Sequence, residues 1–370
     1  MMVFQQRLNK ARACMREQQV DALLLSVGAD LPYFCGYEAM ALERLTMLVV
    51  PFDGAAKLIV PRLEADRVVE RPGLFDLQVW DETDDPIAIV GSLVGAANKV
   101  AVGDHTWAGF LVDLLKVLPK AQFCRASEIT SPLRSIKDAA EVEALGAAAA
   151  AADKVAVDLR AGNISLVGRS EAEVSVELAN RLLAEGHQRV NFAIVAAGAN
   201  AASPHHEPGQ RIIGANEIVL CDFGGTMEDA HGVGYCSDIT RCVHLGEPPA
   251  ELVEAYEVLH EAQATQVGAA VVGQRCEEVD RVGRQMITDA GYGDYFIHRT
   301  GHGIGTEAHE HPYIVEGNSE VLQSGHAFSI EPGIYMPGRW GMRLEDIVVA
   351  AEEGPSNLST TDHRLAILGT

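Results

Sequence analysis

Two aspartates stand in apolar surroundings that suit chemistry better than solvation. Asp222 ends an apolar run in EIVLCDFGG and is followed by two glycines, and Asp238 lies in GYCSDITRCVHL, in the strand that should follow through a glycine-containing turn. If those strands pair antiparallel, both carboxylates can point to one face. Carboxylates side by side repel, and a proton or a cation must offset that cost. Taken singly, each is an ordinary strand-end or turn acid. RTGHGIGTEAHEHP surrounds His302 with Gly301, Gly303 and Gly305, which lets the backbone approach a ligand and leaves little bulk around the imidazole. His309 follows seven residues later. FSIEPGIY sets Glu331 in an apolar strand just before Pro332 and Gly333, an unusual place for an acid. In GMRLEDIVVA the alternation puts Arg343 and Glu345 on one face and Leu344 and Asp346 on the other. An Arg–Glu pair of that kind is by itself an ordinary structural ion pair.

The combination says more than its parts. Four acids and one histidine in apolar strand contexts would make an expensive core without cations. Such an oxygen-rich set suits two divalent ions, Mn²⁺, Co²⁺ or Fe²⁺, with Zn²⁺ also admissible. Two ions about 3.5–4 Å apart can activate a shared water and clamp a carbonyl for attack.

The elements that must position these residues fall into two groups. In the first, short apolar runs at residues 22–27, 46–51, 57–60, 77–80 and 100–103 read as buried strands, and helical patterns occupy 62–70, 86–94 and 106–117. Strands alternating with helices imply a mostly parallel or mixed sheet in an α/β domain. No ligand spacing occurs there, so chemistry is not expected in it. ITSPLRSIK, residues 129–137, reads as a short polar connection, and the spacing places the domain boundary near residue 130, giving domains 1–130 and 131–370. Asp138 with Glu141, and Ser170 with Glu173, are N-terminal capping patterns for helices ending before Gly162 and at Gly186. Beyond residue 190 strands at 190–196, 217–223, 235–245, 326–335 and 343–350 are interrupted by helices near 250–267 and 277–290, an α+β pattern.

Composition bounds the function classes. At 370 residues the chain is long for one core, and 48% hydrophobic with 22% charged residues is globular. The 29 basic and 52 acidic side chains leave a net charge of −23, which disfavours nucleic acid and anionic membrane surfaces. No run approaches the roughly 18 apolar residues of a membrane span. The N-terminal residues lack an apolar h-region and read as an amphipathic helix rather than a secretion signal. Seven scattered cysteines without a CxxC pair fit a reducing cytoplasm, not a disulfide framework.

GYCSDITR, HRTGHGIG with HE, SIEPGIY and RLED together resemble the pita-bread metallopeptidases: prolidase, Xaa-Pro aminopeptidase and, more distantly, methionine aminopeptidase. The resemblance covers the whole chain, because the α/β part followed by PLRxIK resembles the creatinase/prolidase N-terminal domain. It is nearest to actinobacterial Xaa-Pro dipeptidases. It implies an α/β creatinase/prolidase-like domain followed by an α+β pita-bread catalytic domain, and two divalent metal ions, manganese foremost. By motif, Asp222 would chelate one ion, Asp238 and Glu345 would bridge, and His302 and Glu331 would bind the second. Glu331 would also shuttle the proton. His205 in SPHHEPG and His309 would stabilise the reacting amide by hydrogen bonding, with His206 the rival for His205. His298 and Arg343 would line the prolyl pocket. A proline-containing peptide is the implied substrate and a homodimer the implied assembly.

Two departures stand out. The stretch FGGTMEDAHGVGYCS between the two aspartates is longer than the family's usual turn, which should lengthen the hairpin or bring His231 toward the mouth of the site. Tyr313 stands where some prolidases carry an arginine for the substrate's terminal carboxylate. That leaves an Xaa-Pro aminopeptidase of longer peptides beside the dipeptidase. A metal-free creatinase-like hydrolase and a non-enzymatic relative are disfavoured, because all five ligand positions are filled.

Overall fold

The computed structural model describes residues 2–369 and divides into two units, residues 1–134 with 230–233, and 135–229 with 234–370. In the first, α1 (Met2–Glu17) buries Phe4, Leu8, Ala11 and Met15, one stripe at helical spacing. Six strands form one mixed sheet in the order β4-β3-β2-β1-β5-β6: β1 (Ala22–Leu25), β2 (Met47–Pro51), β3 (Ala56–Pro61), β4 (Phe75–Trp80), β5 (Lys99–Val102) and β6 (Gln122–Arg125). The remaining helices are α2 (Asp30–Cys35), α3 (Arg62–Ala65), α4 (Pro86–Val94), α5 (Ala108–Val117) and α6 (Ser127–Ser135). Leu24, Val49, Ile59, Trp80, Val90 and Val100 join one core.

Three local differences from the sequence reading have physical causes. The helix expected over residues 62–70 stops after one turn, α3, which buries no residue and so has no tertiary packing to extend it. β6 is a short edge strand with no fully buried residue, so its apolar signal is weak. Residue 130 lies inside α6 rather than in a connection. Thr130 and Arg134 of that helix both donate to Asp30, at 3.0 and 2.8 Å, so its polar side chains face protein, and the units part between Arg134 and Ser135.

The second unit opens with α7 (Ala139–Arg160) and α8 (Glu171–Ala184), each closed at its start by a reciprocal capping box, Asp138 with Glu141 and Ser170 with Glu173. They cover a sheet of order β18-β10-β8-β7, with β9 paired on β8: β7 (Arg189–Ala197), β8 (Ile218–Glu228), β9 (Gly234–Cys236), β10 (Ile239–Leu245) and β18 (Ala366–Leu368). The pleat sorts β8. Val219, Cys221 and Phe223 pack on α7 and α8, whereas Ile218 and Leu220 face α9 (Ala250–Ala269) on the other side. Asp222 belongs to that second face. The long connection does lengthen the hairpin: β8 runs on to Glu228, pairing Thr226 with Cys236. Its tip groups with the first unit, where the His231 ring meets Phe4 at 6.1 Å.

A second sheet, order β12-β11-β13-β16-β17, packs on α10 (Cys276–Asp289), with β11 (Gly301–Gly303), β12 (Glu310–Ile314), β13 (Ala327–Ile330), β16 (Asp346–Val349) and β17 (Ser356–Asn357). The hairpin β14 (Gly333–Met336) and β15 (Trp340–Arg343) stands apart from it. Lys137, just before α7, reaches Glu310 of β12 in an ion pair of 2.6 Å with both side chains buried. Removing one partner of such a pair strands a buried charge. Lys137→Met is therefore expected to destabilise the second unit by roughly 3 kcal/mol, read as a lower urea midpoint, and an unchanged midpoint would show that the pair holds nothing.

Candidate metal centre

The antiparallel pairing expected of the two aspartate strands is present, with Asp222 opposite Thr240 of β10 and Ile194 of β7. Ile194, Asp222 and Thr240 thus form one row across three strands, and Asp238 lies two residues before Thr240. Asp238 itself is outside both β9 and β10. The same holds for the other acids: Glu331 occupies the break between β13 and β14, and Glu345 the break between β15 and β16. The backbone holds these breaks, with Glu331 N donating to Thr300 O at 2.7 Å and Glu345 N to Thr240 O at 3.3 Å. His302 is central in β11. A Cβ at Gly301 would lie 1.8 Å from Ser329 O and one at Gly303 2.1 Å from His311 O, so both flanking glycines are required by the neighbouring strands.

Three overlapping groups have ligand atoms within 4.8 Å of one another: Asp222, Asp238 and Glu345; His302, Glu331 and Glu345; and Asp238, His302 and His309. The five proposed ligands are therefore together, and His309 approaches as well, its ring centroid 3.9 Å from that of His302. Nδ1 of His302 is hydrogen-bonded to Gly303 O at 3.1 Å, which leaves Nε2 facing the acids, 3.1 Å from Glu331 and 3.9 Å from Asp238. That is the outer-partner arrangement that fixes an imidazole ligand. Asp222 Oδ2 accepts from Arg343 at 2.5 Å, while Oδ1 is buried with no hydrogen-bond partner among the described residues. A buried orphan oxygen among carboxylates is what a bound cation would satisfy, and oxygen donors with one imidazole fit divalent ions.

Electrostatics agrees. Burial, then the charges of Glu345, Asp222 and Glu331, pushes Asp238 well above its ordinary pKa. Burial and the charges of Glu331 and Asp222 do the same to Glu345, and burial raises Asp222 against the pull of Arg343. Glu331 goes the other way: burial opposes its charge, but the hydrogen bond and charge of His302, with His298 and Arg343, hold it down to about 2.

The nine residues assigned ligand, catalytic or pocket roles from the sequence line one cavity of about 310 Å³. His205 is on its wall. His206 instead bonds the fully buried Glu171 at 2.8 Å and serves the loop, not the cavity. His231 does not line it. His298 reaches Tyr335 Oη through Nε2 at 2.8 Å, and Arg343 donates to the same hydroxyl at 2.8 Å. Burial lowers the pKa of His298, and burial with the charge of His302 lowers that of His309 to about 4, so both are neutral imidazoles near pH 7. Sequence reasoning missed Tyr335, Phe192, Ile194, Pro204 and Arg299. Phe192 and Ile194 were legible in the alternation of β7; Tyr335 carried no signal.

A carboxyl whose pKa is raised on folding takes up protons as the chain folds, so its contribution is present below its unfolded pKa and is lost as pH rises toward the folded value. The three raised carboxyls, Asp222, Asp238 and Glu345, should thus cost the metal-free protein stability as pH climbs from about 4 upward, against the gain that the lowered histidines bring below their ordinary value of 6.5, and Mn²⁺ should remove the carboxyls' share of the slope. Asp238→Asn should leave the metal-free protein as stable or more stable at pH 7, yet cancel most of the gain of about 2.7 kcal/mol that a hundredfold excess of Mn²⁺ over its dissociation constant confers. Thermal unfolding with and without EDTA checks this, and an undiminished gain in the variant would remove Asp238 from the ligand set.

Known proteins resemble the chain along its whole length. Residues 136–352 match the model of metallopeptidase family M24, and residues 7–136 that of the creatinase/prolidase N-terminal domain. A probable dipeptidase PepE of Mycobacterium tuberculosis is 40% identical, covering 99% of this chain and 97% of that protein. An Xaa-Pro dipeptidase of Lactobacillus helveticus is 36% identical over 98% of both. Among solved structures, a recombinant prolidase from Thermococcus sibiricus superposes with a TM-score of 0.93 at 35% identity over 100% of both chains. Dipeptidase PepE from Mycobacterium ulcerans gives 0.91 at 38%, covering 100% of this chain and 99% of that one. The chain has the creatinase-type N-terminal domain and pita-bread catalytic domain of this group, and it belongs to metallopeptidase family M24.

Proposed function

We propose that the protein hydrolyses the bond before proline in short peptides, with Xaa-Pro dipeptides as preferred substrates. The observation that carries this reading is the convergence of Asp222, Asp238, His302, Glu331 and Glu345 into ligand groups sharing members within 4.8 Å, on the wall of one cavity. The names borne by the Lactobacillus helveticus and Thermococcus sibiricus relatives support proline-directed hydrolysis.

Asp222 would hold one ion and His302 and Glu331 the other, with Asp238 and Glu345 shared between them. Two bound divalent ions would supply an acidified water and a polarised scissile carbonyl. Glu331, with Ser329 Oγ donating to its Oε1 at 3.1 Å, would take the proton of that water. It then returns the proton to the leaving nitrogen. Held down to about 2, Glu331 is ionised near pH 7 and so enters in its basic form. His205 and His309 donate N–H bonds to the carbonyl oxygen as charge builds on it. His309, lowered to about 4, does so as a neutral donor. Phe192, Ile194 and Pro204 make an apolar wall that suits the pyrrolidine ring, with His298 and Arg343 at its polar edge. Proline has no N–H to give, so a shaped pocket must replace strand-like backbone binding.

Manganese is the proposed metal, on the hardness of a mostly carboxylate set. The seven free cysteines support a reducing cytoplasm, and the family resemblance supports a homodimer.

Dialysis against EDTA should abolish hydrolysis of Ala-Pro, and Mn²⁺ should restore it. Ala-Pro should exceed Ala-Pro-Gly, with Ala-Ala barely cleaved; the reverse order for the first two would make the enzyme an aminopeptidase. Glu331→Ala should lower kcat by at least about 10³-fold, since it removes a ligand and the proton carrier together. Ala-Pro cleavage that survives complete metal removal would refute the reading.

A further inference from the structure

The segment that brings His298 to the cavity, residues 296–300, lies in neither helix nor strand, so its backbone groups must find partners elsewhere. Two side chains of α10 supply them. Asp280 and Arg284 stand one helical turn apart, and the guanidinium takes the carboxylate by its fork, Nε donating to Oδ2 at 2.7 Å and Nη2 to Oδ1 at 2.8 Å. Nη1 also donates to Phe296 O at 2.9 Å and Nη2 to His298 O at 2.7 Å, with the guanidinium over the Phe296 ring, 3.9 Å from its centroid. Asp280 Oδ1 in turn accepts from Thr300 N at 3.2 Å.

The same anchor reaches Glu331. Thr300 is fully buried, and Gln266 of α9, also fully buried, donates through Nε2 to its Oγ1 at 2.7 Å and to Asp280 O at 3.1 Å. The two helices meet so closely here that a Cβ at Gly283 would lie 2.2 Å from Gln266 Cδ. Thr300 O accepts from Glu331 N at 2.7 Å, the bond that holds the break after β13. His298 and Glu331 are thus tied to one ion pair, whose two members face a separate outer groove.

A buried ion pair is a weak source of stability, since apolar side chains of similar volume do as well. What this one supplies is direction. A planar guanidinium, fixed by a carboxylate that is 1% exposed, offers N–H bonds at set angles to two carbonyls of an irregular segment. An apolar substitute would pack but leave Phe296 O and His298 O without those donors.

Resting on the peptidase reading above, we propose that Asp280 and Arg284 are positioning residues for the reaction. Arg284 sets the His298 imidazole at the prolyl wall. Asp280, with Gln266, sets Thr300 and through it the Glu331 carboxylate. Each acts through the backbone it holds.

The experiment measures Ala-Pro hydrolysis, Mn²⁺ affinity by equilibrium dialysis and thermal unfolding for wild type, Arg284→Gln, Arg284→Lys and Gln266→Met. Kinetics are read at saturating Mn²⁺ and at a temperature where circular dichroism shows the compared proteins folded. Arg284→Gln should raise KM roughly 10-fold or more with kcat less affected, and should lower the unfolding midpoint by stranding Asp280. Arg284→Lys restores the charge beside Asp280 but not the fork, so most of the midpoint should return while KM stays raised. Gln266→Met should register at the other arm, weakening Mn²⁺ binding roughly 10-fold and lowering kcat with KM little changed. If Arg284→Gln does not fold, Arg284→Lys decides alone: a raised KM supports the assignment and a wild-type KM overturns it. A KM that recovers together with the midpoint, or that never moves, would make the pair structural only and overturn the assignment with the peptidase reading intact. Unaltered kcat and Mn²⁺ affinity in Gln266→Met would overturn it at Glu331. A wild type that binds Mn²⁺ yet leaves Ala-Pro uncut would sink the peptidase reading and this assignment with it.

Discussion

Repulsion among Asp222, Asp238, Glu331 and Glu345 is the constraint that the second unit is arranged around. Two like charges about 4 Å apart at an effective dielectric near 20 cost roughly 4 kcal/mol, and these four carboxylates share one buried cavity with a single directly bonded guanidinium, that of Arg343. One arginine cannot neutralise four acids. Protons do so in the metal-free chain, which is why Asp238 and Glu345 are driven up in pKa, and divalent ions do so without giving up the ligand oxygens. The stability that tolerates this arrangement lies in the apolar layers around it, α7 and α8 on one face of the first sheet and α9 on the other.

Geometry explains where the acids had to go. Along a regular strand, side chains on one face are separated by two residues, and neighbouring strands lie about 4.8 Å apart. Such a lattice can present Asp222 beside Thr240, but it cannot crowd four carboxylates and an imidazole around a common point. Each additional acid therefore sits where a strand breaks: Asp238 after β9, Glu331 after β13, Glu345 after β15. Backbone bonds from Glu331 N and Glu345 N across to Thr300 and Thr240 keep these breaks in register, so the departures from strand geometry are held rather than loose.

The same fact sets the limit of what could be read from residues alone. Asp222 and His302 were legible because an acid closing an apolar run and an imidazole between glycines are each out of place locally. Glu331 and Glu345 were legible as oddities, but their segments read as continuous strands at 326–335 and 343–350, since apolar periodicity carries no mark for a one- or two-residue interruption. The helix α6 was hidden because its polar side chains bond to Asp30, 100 residues away in sequence, and local composition cannot announce a distant partner. His205 and His206 are indistinguishable by type; what separates them is Glu171, fully buried and bonded to one of the pair.

Arg343 makes the centre and the pocket one system. Its donors reach Asp222 on the ligand side and the Tyr335 hydroxyl on the other, and that hydroxyl in turn meets His298. Its Nε engages Thr240 Oγ1, which donates to Glu345 at 2.7 Å. The guanidinium is planar and rigid, so a displacement imposed at the Tyr335 end is passed to the two acids at the other rather than absorbed. On the proposed assignment, an ion at Asp222 and Glu345 would help orient His298, and a prolyl ring against His298 would help hold the acids. The proposed pocket and the proposed ligands thus belong to one hydrogen-bonded unit, and on that assignment a change in either is expected to register in both.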